Sequence, residues 1–395
     1  MKGCLEPPGS SLLLPLAVGV AVYAAASLHA CTIFVLADES HALFCNNEDH
    51  PNPKTKIWFQ PAGEGYYGAV YVGVETGYAQ GGLNTAGLAF DWVAGYKATW
   101  KPDPLLPRTR GNLSQRMLET CATVKDAIAF HRTHWETDFS YARTLVADRT
   151  GASAILSAKD GQLQVAEEAQ TRGFGFGRRT LAEALARRPQ PTVANGFEIL
   201  RACRQGGYFT TKYSNVFDLK SGDIFLYYLP NRDDRVEMNL AAELKKGAHY
   251  YDMPQIRRQL AEAPRPSPLN LRRFPLDEVK PLSDPEPDLT AHLRAVLHAA
   301  REGTEHAEDF TPEMWKRISV LPKGSEDDLI DYGDLLSMTL AGRDEEGGQR
   351  IYYYRSEYAN ATVLQQIVLD GQNKIASGNL WVDVKWKPGG TGATP

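Results

Sequence analysis

The chain has 395 residues, 43% of them hydrophobic and 23% charged, which is the composition of a globular protein of two or three domains and excludes disordered, fibrous and repetitive classes. Its 43 Lys and Arg against 48 Asp and Glu leave a net charge of −5, without the positive field that a nucleic-acid partner demands. Five widely spaced cysteines supply neither a disulfide framework nor paired zinc ligands, and no metal or other cofactor is expected.

The first thirty residues differ from the rest. Lys2 precedes an uncharged apolar run from Leu12 to Ala26, too short to span a bilayer comfortably and ending in alanines. This pattern reads as a secretory signal peptide over residues 1–30, with a membrane anchor as the alternative, and predicts export to the periplasm or the extracellular medium. A cut after Ala30 satisfies the small-residue rule at −1 but places Leu28 at −3; a cut after Ala26 is the other option. The first cut makes Cys31 the leading residue, with a thiol and a free α-amine on one residue. Leu28-His29-Ala30-Cys31 also resembles a lipobox, in which case the sulfur would carry lipid and the protein would be an anchored lipoprotein.

From Cys31 the pattern is that of a β-hairpin. Thr32 to Ala37 is a continuous apolar run, Asp38-Glu39-Ser40-His41 a turn, and Ala42 to Cys45 the start of the returning strand. Gly65 to Glu75 reads as a second hairpin-like region, and Gly81 to Gly87 as turn material. Helices follow: one capped by Ser114 and running to Thr120, and one from Ala127 to His134 behind an approximate capping box at Thr123 and Asp126. Arg143 to Val165 is a meander in which Asp160-Gly161 marks a tight hairpin. A helix near Phe197 to Arg204 then precedes strands at Tyr208 to Leu219 and Asp223 to Leu229.

Seven prolines between Pro264 and Pro287 read as an extended linker over 263–288. Beyond it, a helix near Leu289 to Arg301 and four strands between Leu335 and Val384 predict a small α+β accessory domain over 289–387, with a disordered tail at 388–395. The main domain is assigned to 31–262.

A cysteine thiol is mostly protonated at neutral pH, and a catalytic one needs a base beside it. The α-amine of an N-terminal residue, with a reference pKa of about 7.7–8.0, supplies one. The site also needs a carboxylate to hold the ammonium, and donors for an oxyanion. Phe44-Cys45-Asn46-Asn47-Glu48-Asp49-His50 ends the returning strand, which antiparallel pairing brings beside Cys31.

Here the chain resembles the N-terminal nucleophile hydrolases of the choloylglycine hydrolase and penicillin V acylase type, the linear amide C–N hydrolases. In that family a Cys-Thr or Cys-Ser opens a hairpin whose second strand ends Leu-Phe-small-Arg-x-x-Asp. Leu43-Phe44-Cys45-Asn46-Asn47-Glu48-Asp49 matches, except that Asn46 stands where the family has arginine, and Asn46 brings hydrogen bonds but no charge. The resemblance covers roughly residues 31–230. It also includes Gly82-Leu83-Asn84-Thr85-Ala86-Gly87-Leu88 as the family's Gly-x-Asn-x-x-Gly-Leu turn, in which Asn84 is either a turn residue or a substrate contact.

The resemblance implies a four-layer αββα sandwich and cleavage of a small N-acyl amide through an acyl-enzyme. Cys31 is the implied nucleophile, Asp49 the orienting carboxylate, and Asn47 or Asn46 the nearby assistant. Asn195 and Asn215 are candidates for the family's oxyanion asparagine, and Trp92 or Asp91 for the second oxyanion position. Bile-salt conjugates, penicillins, acyl-homoserine lactones and other N-acyl amines all suit the reaction class. Acyl transfer by the same site, and a lipid-anchored binding protein, are the alternatives. The accessory domain is assigned to shaping access or to mediating homo-oligomer assembly.

Cys45, Cys121 and Cys203 read as small core residues. His131 and His134 lack a third metal ligand, Glu345-Glu346 and Glu326-Asp327-Asp328 read as solvated acids, and Tyr352-Tyr353-Tyr354 as a strand with aromatic faces.

Overall fold

The computed structural model describes residues 31–169, 171–228, 235–319 and 327–388. The expected signal peptide, the acids at Glu326 and the tail from residue 389 lie outside them. The main body begins with strands β1 (Thr32–Ala37), β2 (Ala42–Asp49), β3 (Thr55–Gln60), β4 (Ala69–Val74), β5 (Ala79–Asn84) and β6 (Ala89–Ala94). Helices α1 (Leu113–Thr120) and α2 (Val124–Thr133) follow, then strands β7 (Ala142–Ala147), β8 (Ala152–Lys159), β9 (Gln162–Ala169) and β10 (Arg172–Gly175). Helices α3 (Arg178–Ala186) and α4 (Val193–Ala202) lead into β11 (Thr211–Asp218), β12 (Asp223–Tyr228) and β13 (Arg235–Asn239). After α5 (Leu240–Leu244) come β14 (His249–Asp252), α6 (Ile256–Ala261) and the short β15 (Arg265–Pro266).

These strands form two antiparallel sheets, one ordered β10-β1-β2-β11-β12-β13 and the other β15-β14-β3-β4-β5-β6-β7-β8-β9. Alternation along each strand decides the layering. Ile33, Val35, Phe44 and Phe217 of the first sheet meet Ile57, Val70, Leu83 and Leu145 of the second in one buried core. The opposite face of the nine-stranded sheet packs Trp58, Phe90 and Val146 under Met117, Leu118 and Ile128 of α1 and α2. The opposite face of the six-stranded sheet packs Phe34, Cys45 and Val216 under Leu181, Phe197 and Leu200 of α3 and α4. The result is the expected αββα stack. Phe44 is fully buried at the sheet interface, so Phe44→Ala is expected to cost about 3–5 kcal/mol in urea unfolding through a cavity the sheets cannot close.

Local signals explain most boundaries. Thr123 and Asp126 form a complete capping box on α2. Asp160 and Gly161, with φ of 52° and 80°, make the two-residue turn between Lys159 and Gln162. Helix α1 is capped by Asn112, whose Oδ1 accepts the Gln115 N–H at 2.9 Å; Ser114 lies inside the helix and its hydroxyl accepts the Trp92 indole N–H at 2.8 Å. In the region read as a second hairpin only Ala69–Val74 is a strand, and its partners are the unforeseen β3 and β5, the latter taking Gly81 to Asn84 out of the segment read as turn material. Prolines at 51, 53 and 61 crowd the ends of β3 and mask a fully buried six-residue strand.

The proline-rich segment packs on both bodies. Arg265–Pro266 pairs with β14, while Leu269 and Leu276 pack against Ala341, Tyr353 and Leu364 of the C-terminal domain. That domain comprises α7 (Pro287–Glu302), α8 (Pro312–Ile318), α9 (Asp327–Tyr332) and the sheet β16 (Leu335–Glu346), β17 (Gln349–Tyr358), β18 (Ala361–Leu369) and β19 (Ile375–Trp386). Period-two alternation turns Tyr352 and Tyr354 toward Leu293 and Leu297 of α7, and Tyr353 toward Leu276, with its hydroxyl donating to Asn270 Oδ1 at 3.1 Å. Arg110 ties the bodies through Asp383 and Asp277, and Asn379 donates to the Thr76 carbonyl at 3.0 Å.

Candidate active site

A cleft of about 420 Å³ opens at the end of β2 and is lined by Cys31, Glu48, Asp49, His50, Tyr78 and Trp92 among others. Met314, Arg317, Asn379 and Trp381 of the accessory domain form its far wall. Cys31 is 5% exposed at the start of β1. Its backbone N–H donates to Asp49 Oδ2 at 3.1 Å, and Asp49 Oδ1 accepts the Thr211 hydroxyl at 2.5 Å. The Cys31 carbonyl accepts the Phe176 N–H at 2.7 Å. Gly175, with φ of +127°, lets that loop approach, since a Cβ there would stand 2.3 Å from the Cys31 oxygen.

Strand register decides which side chains face the thiol. Thr32 pairs with Asn47, so the next position along sets Cys31 opposite Glu48, and Glu48 in turn pairs with Tyr213. Cys31, Glu48 and Tyr213 therefore form one row on the inner face. Asp91 reaches the same space from β6, where Gly81 makes room: a Cβ on that glycine would meet Asp91 Oδ2 at 2.1 Å. The family motif assigns no role to Glu48 and offers Asp91 only as an oxyanion alternative. Glu48 sits inside the matched segment, and only the register shows that it, rather than Asn46, is opposite the cysteine.

The other nominated residues fall as follows. Asn46 is one inner-face row away, donating to Asn215 Oδ1 at 3.3 Å, and neither residue borders the cleft. Asn47 points to the helical side, where it donates to the Leu200 carbonyl at 2.8 Å and accepts the Ser214 hydroxyl at 2.6 Å. Asn84 clamps the end of α1, donating to the Leu118 and Cys121 carbonyls at 2.7 Å, and accepts the Leu88 N–H. Trp92 borders the cleft, although its indole N–H is committed to Ser114. Asn195 is half-buried on α4 and donates to the Gln190 carbonyl, away from the cleft. Thus Cys31, Asp49 and Trp92 are brought together, and the asparagines hold the surrounding frame.

The electrostatics are acidic and dry. Burial, then the charges of Glu48, Asp49 and Asp91, hold the Cys31 thiol well above its ordinary pKa. Burial raises Asp49 to about 7 against hydrogen bonds from Thr211 and Cys31. Burial and Asp49 raise Glu48 to about 8, opposed by hydrogen bonds with Cys31 and Tyr213. His50 adds no cation, because burial and the Arg317 and Lys212 charges pull it down to about 4. Burial likewise keeps His131 neutral, its pKa down at about 3, between the Trp92, Phe130 and Phe139 rings. Among the described residues no group of three or more His, Cys, Asp or Glu could hold a metal ion. Cys45, Cys121 and Cys203 are free and buried in helix-facing cores.

The two face-to-face sheets, the flanking helix pairs and the cysteine that opens the inner hairpin reproduce the αββα architecture of N-terminal nucleophile hydrolases, which the chain resembles. No family profile and no curated protein sequence matches it. Among solved structures it is similar to penicillin V acylase from Agrobacterium tumefaciens, with a TM-score of 0.45 and 15% identity over 56% of this chain and 91% of that one. It is also similar to a conjugated bile acid hydrolase from Clostridium perfringens, with a TM-score of 0.45 and 12% identity over 56% of this chain and 96% of that one. A Caenorhabditis elegans N-acylethanolamine-hydrolyzing acid amidase ortholog gives 0.37 and 14%, over 53% of this chain and 100% of that one.

Proposed function

We propose that this protein is an exported amidase that cleaves the linear, non-peptide amide bond of an N-acyl amine through Cys31, after removal of residues 1–30 frees the Cys31 amine. The observation that carries this reading is the Cys31 nitrogen held 3.1 Å from the Asp49 carboxylate at the floor of a cleft. Backbone conformation supports it. Cys31 has φ of 69°, a region that costs a residue with a Cβ about 1–2 kcal/mol. An N-terminal residue has no preceding carbonyl and escapes that cost.

In the intact chain the thiol is held protonated by burial and the surrounding acids, and the neighbouring amide nitrogen cannot act as a base. Freed, that nitrogen takes the thiol proton, and Asp49 Oδ2 holds the ammonium formed. The sulfur attacks the substrate carbonyl carbon, the C–N bond breaks, and the ammonium returns its proton to the leaving nitrogen. Water then attacks the thioester, with the amine as base, and releases the acid. Lipidation of Cys31 is less well supported, because the sulfur sits in the core between the sheets.

The test is to determine the N-terminus of the protein purified from the exported fraction, and to assay that form on a panel of N-acylated amines with and without amine acceptors. A first residue of cysteine with release of free acid is the expected result. A first residue of Ser27, a lipid-sized mass increase, or no cleavage of any amide would end the proposal, and acyl products with added amines would make the enzyme a transferase. Trp381 of the accessory domain meets Tyr78 edge to face at 6.1 Å and lines the cleft. Trp381→Ala is expected to raise KM roughly tenfold with little change in kcat, because the ring contributes binding area away from the reacting bond.

A further inference from the structure

Arg317, on the last turn of α8, is the one lysine or arginine among the described residues that line the cleft, and it is exposed. No described residue forms a hydrogen bond or ion pair with its guanidinium. The arginines that join the two bodies are matched: Arg108 by Asp331 at 2.6 Å and Arg110 by Asp383 at 2.8 Å. The half-buried His50 lies within reach of the Arg317 charge and also lines the cleft. Its Nδ1 accepts the Asn52 N–H at 3.0 Å, so the neutral ring carries its proton on Nε2, and no described residue accepts that N–H. Neighbouring amides are committed, Asn52 Nδ2 to Glu75 and Asn379 Nδ2 to the Thr76 carbonyl. This wall therefore offers a guanidinium fork and an imidazole N–H without a protein acceptor for either.

The direction of the reaction decides which part of the substrate meets these donors. The Cys31 ammonium, held by Asp49, returns its proton to the leaving nitrogen, so that nitrogen lies on the Asp49 side of the sulfur. His50 follows Asp49 at the end of β2, beside Arg317. Val74, Trp92, Ala94 and Ala142 of the nine-stranded sheet leave an apolar wall for the acyl group. We propose that Arg317 and His50 bind a carboxylate carried by the amine part of the substrate, so that the protein favours N-acyl amino acids over N-acyl amines whose amine part is neutral. A guanidinium takes a carboxylate through two parallel N–H bonds. Of the acids in the cleft, Asp49 is offset by the Cys31 ammonium, and Asp138 accepts the Tyr78 hydroxyl beside the nine-stranded sheet. The inference deepens the amidase reading above and rests on it.

The experiment compares amides of one acyl chain with glycine, glycinamide and ethanolamine, and an ethanolamide whose acyl chain ends in a carboxylate, on the mature wild type, Arg317→Gln and Arg317→Lys. The wild type should cleave the glycine amide with kcat/KM about 10- to 100-fold above the glycinamide and ethanolamine amides. Arg317→Gln should bring that ratio close to one, chiefly through KM, and Arg317→Lys, which keeps the charge but not the fork, should fall between. A ratio unchanged in Arg317→Gln, or a wild type that prefers the neutral amides or the carboxylate-ended acyl chain, would overturn the inference. Binding of the glycine and ethanolamine amides to Cys31→Ala, with and without Arg317→Gln, reads the same preference without cleavage. A binding preference lost with Arg317→Gln in a protein that cleaves no amide would refute the amidase reading alone; cleavage with an unmoved ratio would refute this inference alone.

Discussion

Cys31→Ala is expected to abolish amide cleavage, lowering kcat by on the order of 10⁴-fold or more, because among the described residues no other thiol lines the cleft to form an acyl-enzyme. The fold should survive. Removing one sulfur from a partly polar row leaves the Phe44, Ile33 and Phe217 core in place, so circular dichroism and the urea midpoint should stay close to wild type. Cys31→Ser keeps the geometry but offers a weaker nucleophile, and should retain a small residual rate that distinguishes lost chemistry from lost structure. Under single-turnover conditions the wild type should accumulate a covalent adduct of one acyl group on the Cys31 peptide, visible by mass. Full activity in the alanine variant would place the reaction elsewhere.

The second large effect is expected at Asp49. Asp49→Asn preserves the side-chain shape and the Thr211 contact but removes the charge that holds the Cys31 ammonium, and kcat/KM should fall about 10²–10⁴-fold. The pH profile gives the sign. Asp49 works as a carboxylate, so wild-type activity should rise with pH through its pKa, at or below the value of about 7 that it has beside an uncharged Cys31 nitrogen; a neighbouring ammonium draws the value down. Asp49→Asn should lose that acidic limb. Stability runs the other way. In the uncleaved chain, where the Cys31 nitrogen carries no charge, a carboxyl whose folded pKa is raised from 3.8 to about 7 binds more protons when folded, so its contribution falls as pH rises from about 4 to 7 and then levels off. Urea unfolding of Asp49→Asn should be flatter across that window.

What the residues alone determined is local. Cys31 and Asp49 could be placed together because a single turn joins β1 and β2, and antiparallel pairing leaves few choices for their ends. The capping box at Thr123, the Asp160-Gly161 turn and the four C-terminal strands were legible for the same reason: each is fixed by neighbours a few positions away. The layering was implied by likeness to a family rather than by periodicity. Tertiary structure decided everything that depends on register or on a second element. It placed Glu48 across from the sulfur and turned Asn47 to the helices, because side chains alternate at every residue and a one-position difference exchanges the two faces. It assigned Asn84 to the end of α1, brought Asp91 in from the opposite sheet, and drew Trp381 and Arg317 from hundreds of residues away to the rim of the cleft. Packing across layers creates these contacts, and no spacing along the chain encodes them.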